Sequence, residues 1–106
     1  MTKFAQNPIC ATIIGQGAGT DSSAAIQAAI NSLTSGRTWQ ETIVLKGDMG
    51  NVHDVVLANY TRLKGVNCKI TLASGQTRIF KQGNADLTYV NIEDIQFVSA
   101  DTRPAD

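Results

Sequence analysis

Gly15-Gln16-Gly17-Ala18-Gly19-Thr20-Asp21-Ser22-Ser23-Ala24-Ala25-Ile26-Gln27-Ala28-Ala29-Ile30-Asn31-Ser32-Leu33 carries the strongest helical signal in the chain. Ile26, Ile30 and Leu33 recur at i, i+4 and i+7 and form one apolar stripe, flanked by Ala25 and Ala29. Thr20, Asp21 and Ser22 are all N-cap residue types, and Asp21 suits the positive end of a helix dipole. Ser35-Gly36 stops the pattern. A helix over residues 22–33 is therefore predicted, entered through a turn whose three glycines bend at little steric cost. Before it, Ala11-Thr12-Ile13-Ile14 is a short apolar, β-branched run and reads as a strand.

Beyond Gly36 the character changes to short β-type runs: Thr42-Ile43-Val44-Leu45, Val55-Val56-Leu57, Arg62-Leu63, residues 66–72, Arg78-Ile79-Phe80 and residues 87–98. Gly47, Gly50-Asn51, Asn59, Gly65, Ser74-Gly75 and Gly83-Asn84 punctuate them. In residues 66–72 the alternation places Val66, Cys68, Ile70 and Leu72 inward and Asn67, Lys69 and Thr71 outward. Val90, Ile92, Ile95 and Phe97 continue the habit. A faint repeat relates Arg62-Leu63-Lys64-Gly65 and Ile70-Thr71-Leu72 to Asn91-Ile92-Glu93-Asp94 and Ile95-Gln96-Phe97, at a spacing in the range of stacked-repeat proteins.

This order of elements resembles the pectin-lyase-like parallel β-helix superfamily. The glycine turn and Thr20-Asp21-Ser22-Ser23-Ala24-Ala25-Ile26 resemble its N-terminal capping helix. Thr42-Ile43-Val44-Leu45-Lys46-Gly47, Val56-Leu57-Ala58-Asn59-Tyr60-Thr61-Arg62-Leu63-Lys64-Gly65 and Asp86-Leu87-Thr88-Tyr89-Val90-Asn91-Ile92-Glu93-Asp94-Ile95-Gln96-Phe97 resemble its coils. In two places the chain departs from the family pattern: Asp48-Met49-Gly50 replaces a proline-glycine turn, and Asp94 stands where glycine is usual. The resemblance implies an all-β fold, a right-handed parallel β-helix of about three coils with one capping α-helix. The expected organisation is a single domain over 1–106, with strand and helix at 11–36, coils at 42–98 and a tail at 99–106. Ile26, Ile30 and Leu33 would plug the solenoid, and Val66, Cys68, Ile70, Leu72, Ile92, Ile95 and Phe97 would fill it.

The same resemblance implies a carbohydrate context, and an extracellular, cell-surface or virion-associated setting of the phage tailspike kind. The family's catalytic acids lie on later coils, so the expected role is a structural or binding module. The alternatives are the first part of a polysaccharide lyase, hydrolase or epimerase, and a small nucleotide-binding domain. The helix would cover one end of the coil stack and nothing covers the other. The expected partner is therefore a second copy of the chain, docked at the uncapped C-terminal end, or further coils of a longer chain, with polysaccharide as the ligand class.

Composition narrows the classes further. Nine basic and nine acidic side chains cancel, which argues against a nucleic-acid binder, and 6% aromatics leave little for base stacking. No apolar run approaches the roughly 18 residues that cross a bilayer, and residues 1–8 do not read as a secretory signal. Cys10 and Cys68 are too few for a disulfide scaffold; whether they pair is open, and two small buried side chains is the plainer reading.

Carboxylates that could serve sugar chemistry, Asp48, Asp54, Asp86, Glu93 and Asp94, are scattered, and Glu93 and Asp94 as strand neighbours point apart. Gly15, Gly17 and Gly19 mimic a phosphate-binding turn, but the third comes one residue early for G-x-G-x-x-G. His53, the single histidine, stands beside Asp54 without a nucleophile elbow. No catalytic, cofactor-binding or metal-ligating residue is predicted, and no cofactor. Asn59-Tyr60-Thr61 fits a glycosylation sequon, though Asn59 also suits a turn. Trp39 and Tyr60 are the candidate sugar-stacking residues, because an aromatic face fits the apolar C–H edge of a pyranose.

Overall fold

A computed structural model describes residues 9–82 and 88–99. Its elements are β1 (Ile9–Ile14), α1 (Ser23–Asn31), β2 (Glu41–Asn51), β3 (Val55–Leu57), β4 (Thr61–Leu72), β5 (Phe80–Gln82) and β6 (Val90–Ser99). Strands β1-β2-β4-β6 form one sheet in that order, and β3-β5 form a second. Every pairing between these strands is parallel.

The expectation of a closed right-handed β-helix is corrected here. The described residues make two separate parallel sheets and one short helix, not a closed solenoid. The second sheet consists of two three-residue strands. After Leu72 the chain turns at Ser74-Gly75 and runs irregularly to Ile79, so no third sheet closes the cross-section among the described residues. The tail from Ala100 onward lies outside them, as does Asp86.

Parallel pairing stacks like side chains. Ile43 pairs with Leu63, and Leu63 with Ile92; Gly50 pairs with Ile70, and Ile70 with Phe97. Ile43, Leu45, Met49, Val52, Val55, Leu63 and Ile70 are fully buried between the two sheets. Helix α1 lays Ile26 and Ile30 on this core, with Leu33 just beyond its end, as the i, i+4, i+7 stripe predicts. Its N-cap is Ser22, whose hydroxyl is drawn away to donate to the Met49 carbonyl (2.6 Å); Asp21 instead accepts the Ser23 N–H (2.9 Å).

Three inward assignments change. Val66 is 42% exposed, whereas Cys68 and Ile70 are buried. Asn67 adopts φ 47° and the β4–β6 register slips between Lys64 and Cys68, so the alternation restarts after Val66. On β6, Ile92 and Phe97 remain 37% and 46% exposed, although their register partners Leu63 and Ile70 are sealed. Beyond β6 no described strand lies against them. Asp94, at the glycine position of the family pattern, takes φ 55° and bends β6 there.

Candidate functional site

Where the loop after α1 returns to the sheet, Thr38, Trp39, Gln40, Tyr60, Tyr89 and Asn91 line a cleft of about 350 Å³. Tyr60 and Tyr89 precede β4 and β6 at equivalent places, since Thr61 pairs with Val90. Their rings stack with centroids 5.3 Å apart and planes 24° from parallel. Both sit in the left-handed region, at φ 57° and 54°, a conformation a bulky side chain adopts only when its surroundings enforce it.

Those surroundings are visible. Arg37 spends its guanidinium on this turn: Nε donates to the Tyr60 carbonyl (2.9 Å), and Nη2 donates to the Asn59 carbonyl (2.6 Å) and Thr61 Oγ1 (2.9 Å). Nη1 ties the turn to the Thr34 carbonyl at 2.8 Å. Asn59 Oδ1 accepts the Thr88 N–H one layer on (2.8 Å), the turn role its residue type suggests. Gln40 reaches across the layers, its Nε2 donating to the Tyr89 carbonyl (2.8 Å) and Asn91 Oδ1 (2.7 Å).

Trp39 lies 48% exposed on the cleft. Its indole N–H donates to Glu41 Oε2 (3.0 Å), which also accepts the Thr34 hydroxyl (2.7 Å), while Oε1 accepts the Thr34 N–H (2.8 Å). Burial alone would raise the Glu41 pKa, but these donors and the nearby Arg37 outweigh it and hold the carboxyl below its ordinary value. The carboxylate thus anchors Trp39 from beneath. The groups that face the cleft carry no formal charge: three aromatic rings, two amides and a hydroxyl.

Trp39 and Tyr60, the two candidate stacking residues, fall in this one cleft. Tyr89, Gln40 and Asn91 were not singled out from sequence. The internal repeat holds the missing signal, since Tyr60-Thr61-Arg62-Leu63 and Tyr89-Val90-Asn91-Ile92 occupy the same place in successive copies.

The carboxylates are held elsewhere. Glu93 is gripped by Arg62 (2.9 and 3.1 Å) and Asp94 by Lys64, and these cations hold both acids below their ordinary values. Asp48 Oδ1 accepts the Gly50 N–H at 2.8 Å. Asp54 sits between His53 (3.2 Å) and Arg78 (3.4 Å). Among the described residues no cluster of three His, Cys, Asp or Glu side chains is placed to hold a metal.

His53 commits both ring nitrogens to carboxylates, Nδ1 to Asp54 Oδ2 (3.2 Å) and Nε2 to Asp21 Oδ2 (3.1 Å). Neither nitrogen is left for a hydroxyl, and Ser23 Oγ instead accepts the His53 backbone N–H at 2.9 Å. The bond to Asp54 outweighs desolvation and, with a smaller effect of the Asp21 charge, raises the His53 pKa above its ordinary 6.5. A raised folded-state pKa means that the clasp stabilises fully below about pH 6.5 and loses that contribution as pH climbs through the folded value. Proton-detected titration of the imidazole is expected to give a midpoint above 6.5 in the folded chain. His53→Gln is expected to flatten the decline in melting temperature between about pH 6 and pH 9.

The glycine turn is already satisfied by backbone. The Gly15 N–H donates to the Lys46 carbonyl (2.8 Å) and the Gly17 N–H to the Asp48 carbonyl (3.0 Å), so neither points at a phosphate site. Cys10 is exposed and Cys68 buried, and they do not bond to each other. Burial, with a smaller effect of Asp48, pushes the Cys68 thiol up to about 11. No described helix is long and apolar enough to cross a membrane. No family model, no curated protein and no solved structure matches this chain.

Proposed function

We propose that the chain is a non-catalytic binding module that holds a neutral polysaccharide in the Trp39–Tyr60–Tyr89 cleft. The observation that carries this reading is the meeting of three aromatic rings with the Gln40 and Asn91 amides in one open cleft. Ring faces cover the C–H face of a pyranose, and side-chain amides both donate to and accept from its hydroxyls. The lining offers no cation for a uronate, which favours uncharged sugars over acidic ones. Carbohydrate is also the ligand class that the sequence resemblance implies.

Trp39 is the single tryptophan, so its fluorescence reports the cleft directly. Titration with neutral oligosaccharides (gluco-, manno- and galacto-configured) is expected to shift or quench it, with uronic-acid oligomers giving a weaker response. Tyr89→Ala is expected to weaken the neutral ligand up to about tenfold, the value of one aromatic contact. No response to any neutral glycan, or a response untouched by Tyr89→Ala, would overturn the reading.

A further inference from the structure

We infer that the sugar held in the Trp39–Tyr60–Tyr89 cleft carries a 2-acetamido group, which the fixed polarity of Gln40 and Asn91 selects over a hydroxyl. The inference rests on the glycan reading of the cleft and narrows its ligand. Gln40 lies just before β2 and Asn91 near the start of β6, so the Gln40 side chain crosses the β4 layer to reach Asn91. The Tyr89 carbonyl can only accept a hydrogen bond, so the amide nitrogen of Gln40 must face it (2.8 Å). The same nitrogen donates to Asn91 Oδ1 (2.7 Å), with a longer contact to the Thr61 carbonyl (3.4 Å). One backbone carbonyl thereby sets the direction of both side-chain amides.

Two atoms are left over by this relay, and their roles are fixed. Gln40 Oε1, an acceptor, and Asn91 Nδ2, a donor, have no partner among the described residues. Neither amide can turn over without setting oxygen against oxygen. The other polar groups of the cleft impose no direction. The hydroxyls of Thr38, Tyr60 and Tyr89 rotate to give or take a proton, and the Trp39 N–H is committed to Glu41 Oε2 (3.0 Å). A secondary amide answers a fixed acceptor and a fixed donor at once: its N–H meets Gln40 Oε1 and its carbonyl meets Asn91 Nδ2. The acetamido group of an N-acetylhexosamine supplies both, and its methyl adds apolar surface to lay on an aromatic ring. A hydroxyl at the same carbon brings one proton and no apolar surface.

Chitotetraose and cellotetraose test this, because they share one linkage and one ring configuration and differ only in the acetamido or hydroxyl group at C2. Titration of the full chain by Trp39 fluorescence is expected to give chitotetraose an affinity about tenfold higher. Asn91→Asp keeps the oxygen that Gln40 needs and puts an acceptor where the donor stood, so the ratio between the two sugars is expected to fall to about one. A general loss of packing would weaken both sugars and leave the ratio alone. Saturation-transfer NMR on the unaltered chain needs no variant, and is expected to show the acetamido methyl more strongly contacted than the sugar ring protons. Equal affinities for the two tetramers, a preference that survives Asn91→Asp, or a weakly contacted methyl would each overturn the inference and leave the glycan reading standing. Silence toward both tetramers would overturn it too, whereas the glycan reading itself falls only if the galacto- and manno-configured oligomers are silent as well.

Discussion

Gly50→Ala is expected to cost about 4 kcal/mol in urea denaturation, a large fraction of the roughly 5–15 kcal/mol that stabilises a domain. Gly50 has φ +68°, and a Cβ there would stand 2.4 Å from the Thr20 carbonyl oxygen and 2.8 Å from that of Gly17. Both obstacles are backbone, so the segment leading into α1 would have to lift off β2. That segment is held by bonds around the same point: Asn51 N–H to the Thr20 carbonyl (2.7 Å), Ser22 N–H to the Asn51 carbonyl (2.9 Å) and Ser22 Oγ to the Met49 carbonyl (2.6 Å). Left-handed strain contributes about 1–2 kcal/mol, and two or three weakened hydrogen bonds about 1 kcal/mol each. Gly36→Ala is the control. Gly36 has a similar φ of 71° but open space around it, so it should show the strain alone, about 1–2 kcal/mol. Equal losses at the two positions would mean that the contact between the turn and β2 contributes nothing.

Leu63→Ala is expected to cost about 3–4 kcal/mol by the same measurement, without altering the fold. Leu63 is fully buried and has an aliphatic register partner on each side, Ile43 and Ile92. Both partners are fixed to hydrogen-bonded strands, so neither can collapse into the space a missing isobutyl group leaves. Ile92→Ala removes a side chain of similar size from the same column one layer out, where 37% of it already meets water. Under dilute conditions its cost should be about 1–2 kcal/mol, in proportion to the smaller area withdrawn from solvent. A Leu63→Ala loss as small as that of Ile92→Ala would show that β4 is no better packed than the edge.

Much of the local structure is legible in the sequence, and its limits have physical causes. The i, i+4, i+7 stripe locates α1 because a helix repeats within a few residues, and the short β-type runs locate most of the strands. Residues 47–50 read as a turn, yet they lie within β2, because β4 pairs with Asp48 and Gly50 on one side and the Gly17 N–H bonds the Asp48 carbonyl on the other, holding an irregular stretch that local propensity would break. The misassigned Val66 has the same origin: a left-handed Asn67 is invisible to a rule of alternation. Closure of the sheets into a solenoid was expected from resemblance alone, and the described strands do not provide it. In the cleft, Trp39 and Tyr60 were legible as candidate sugar-stacking residues. Arg37 was not, because its partners are carbonyls of residues 34, 59 and 60, and backbone acceptors leave no mark on composition.

The all-parallel pairing has a consequence for how the chain reaches this state. Ile43 waits for Leu63, and Leu63 for Ile92, each a separation of two dozen residues or so in sequence, and no described strand can zip to its neighbour through a tight hairpin. Loop closure must therefore precede every rewarding contact, so folding is slow for a chain of this length. While β2 and β4 wait, their ladder groups and their Ile, Leu and Val side chains are open to any other unfinished chain. The interval between synthesis and closure, more than the finished molecule, is where this sequence is exposed to aggregation.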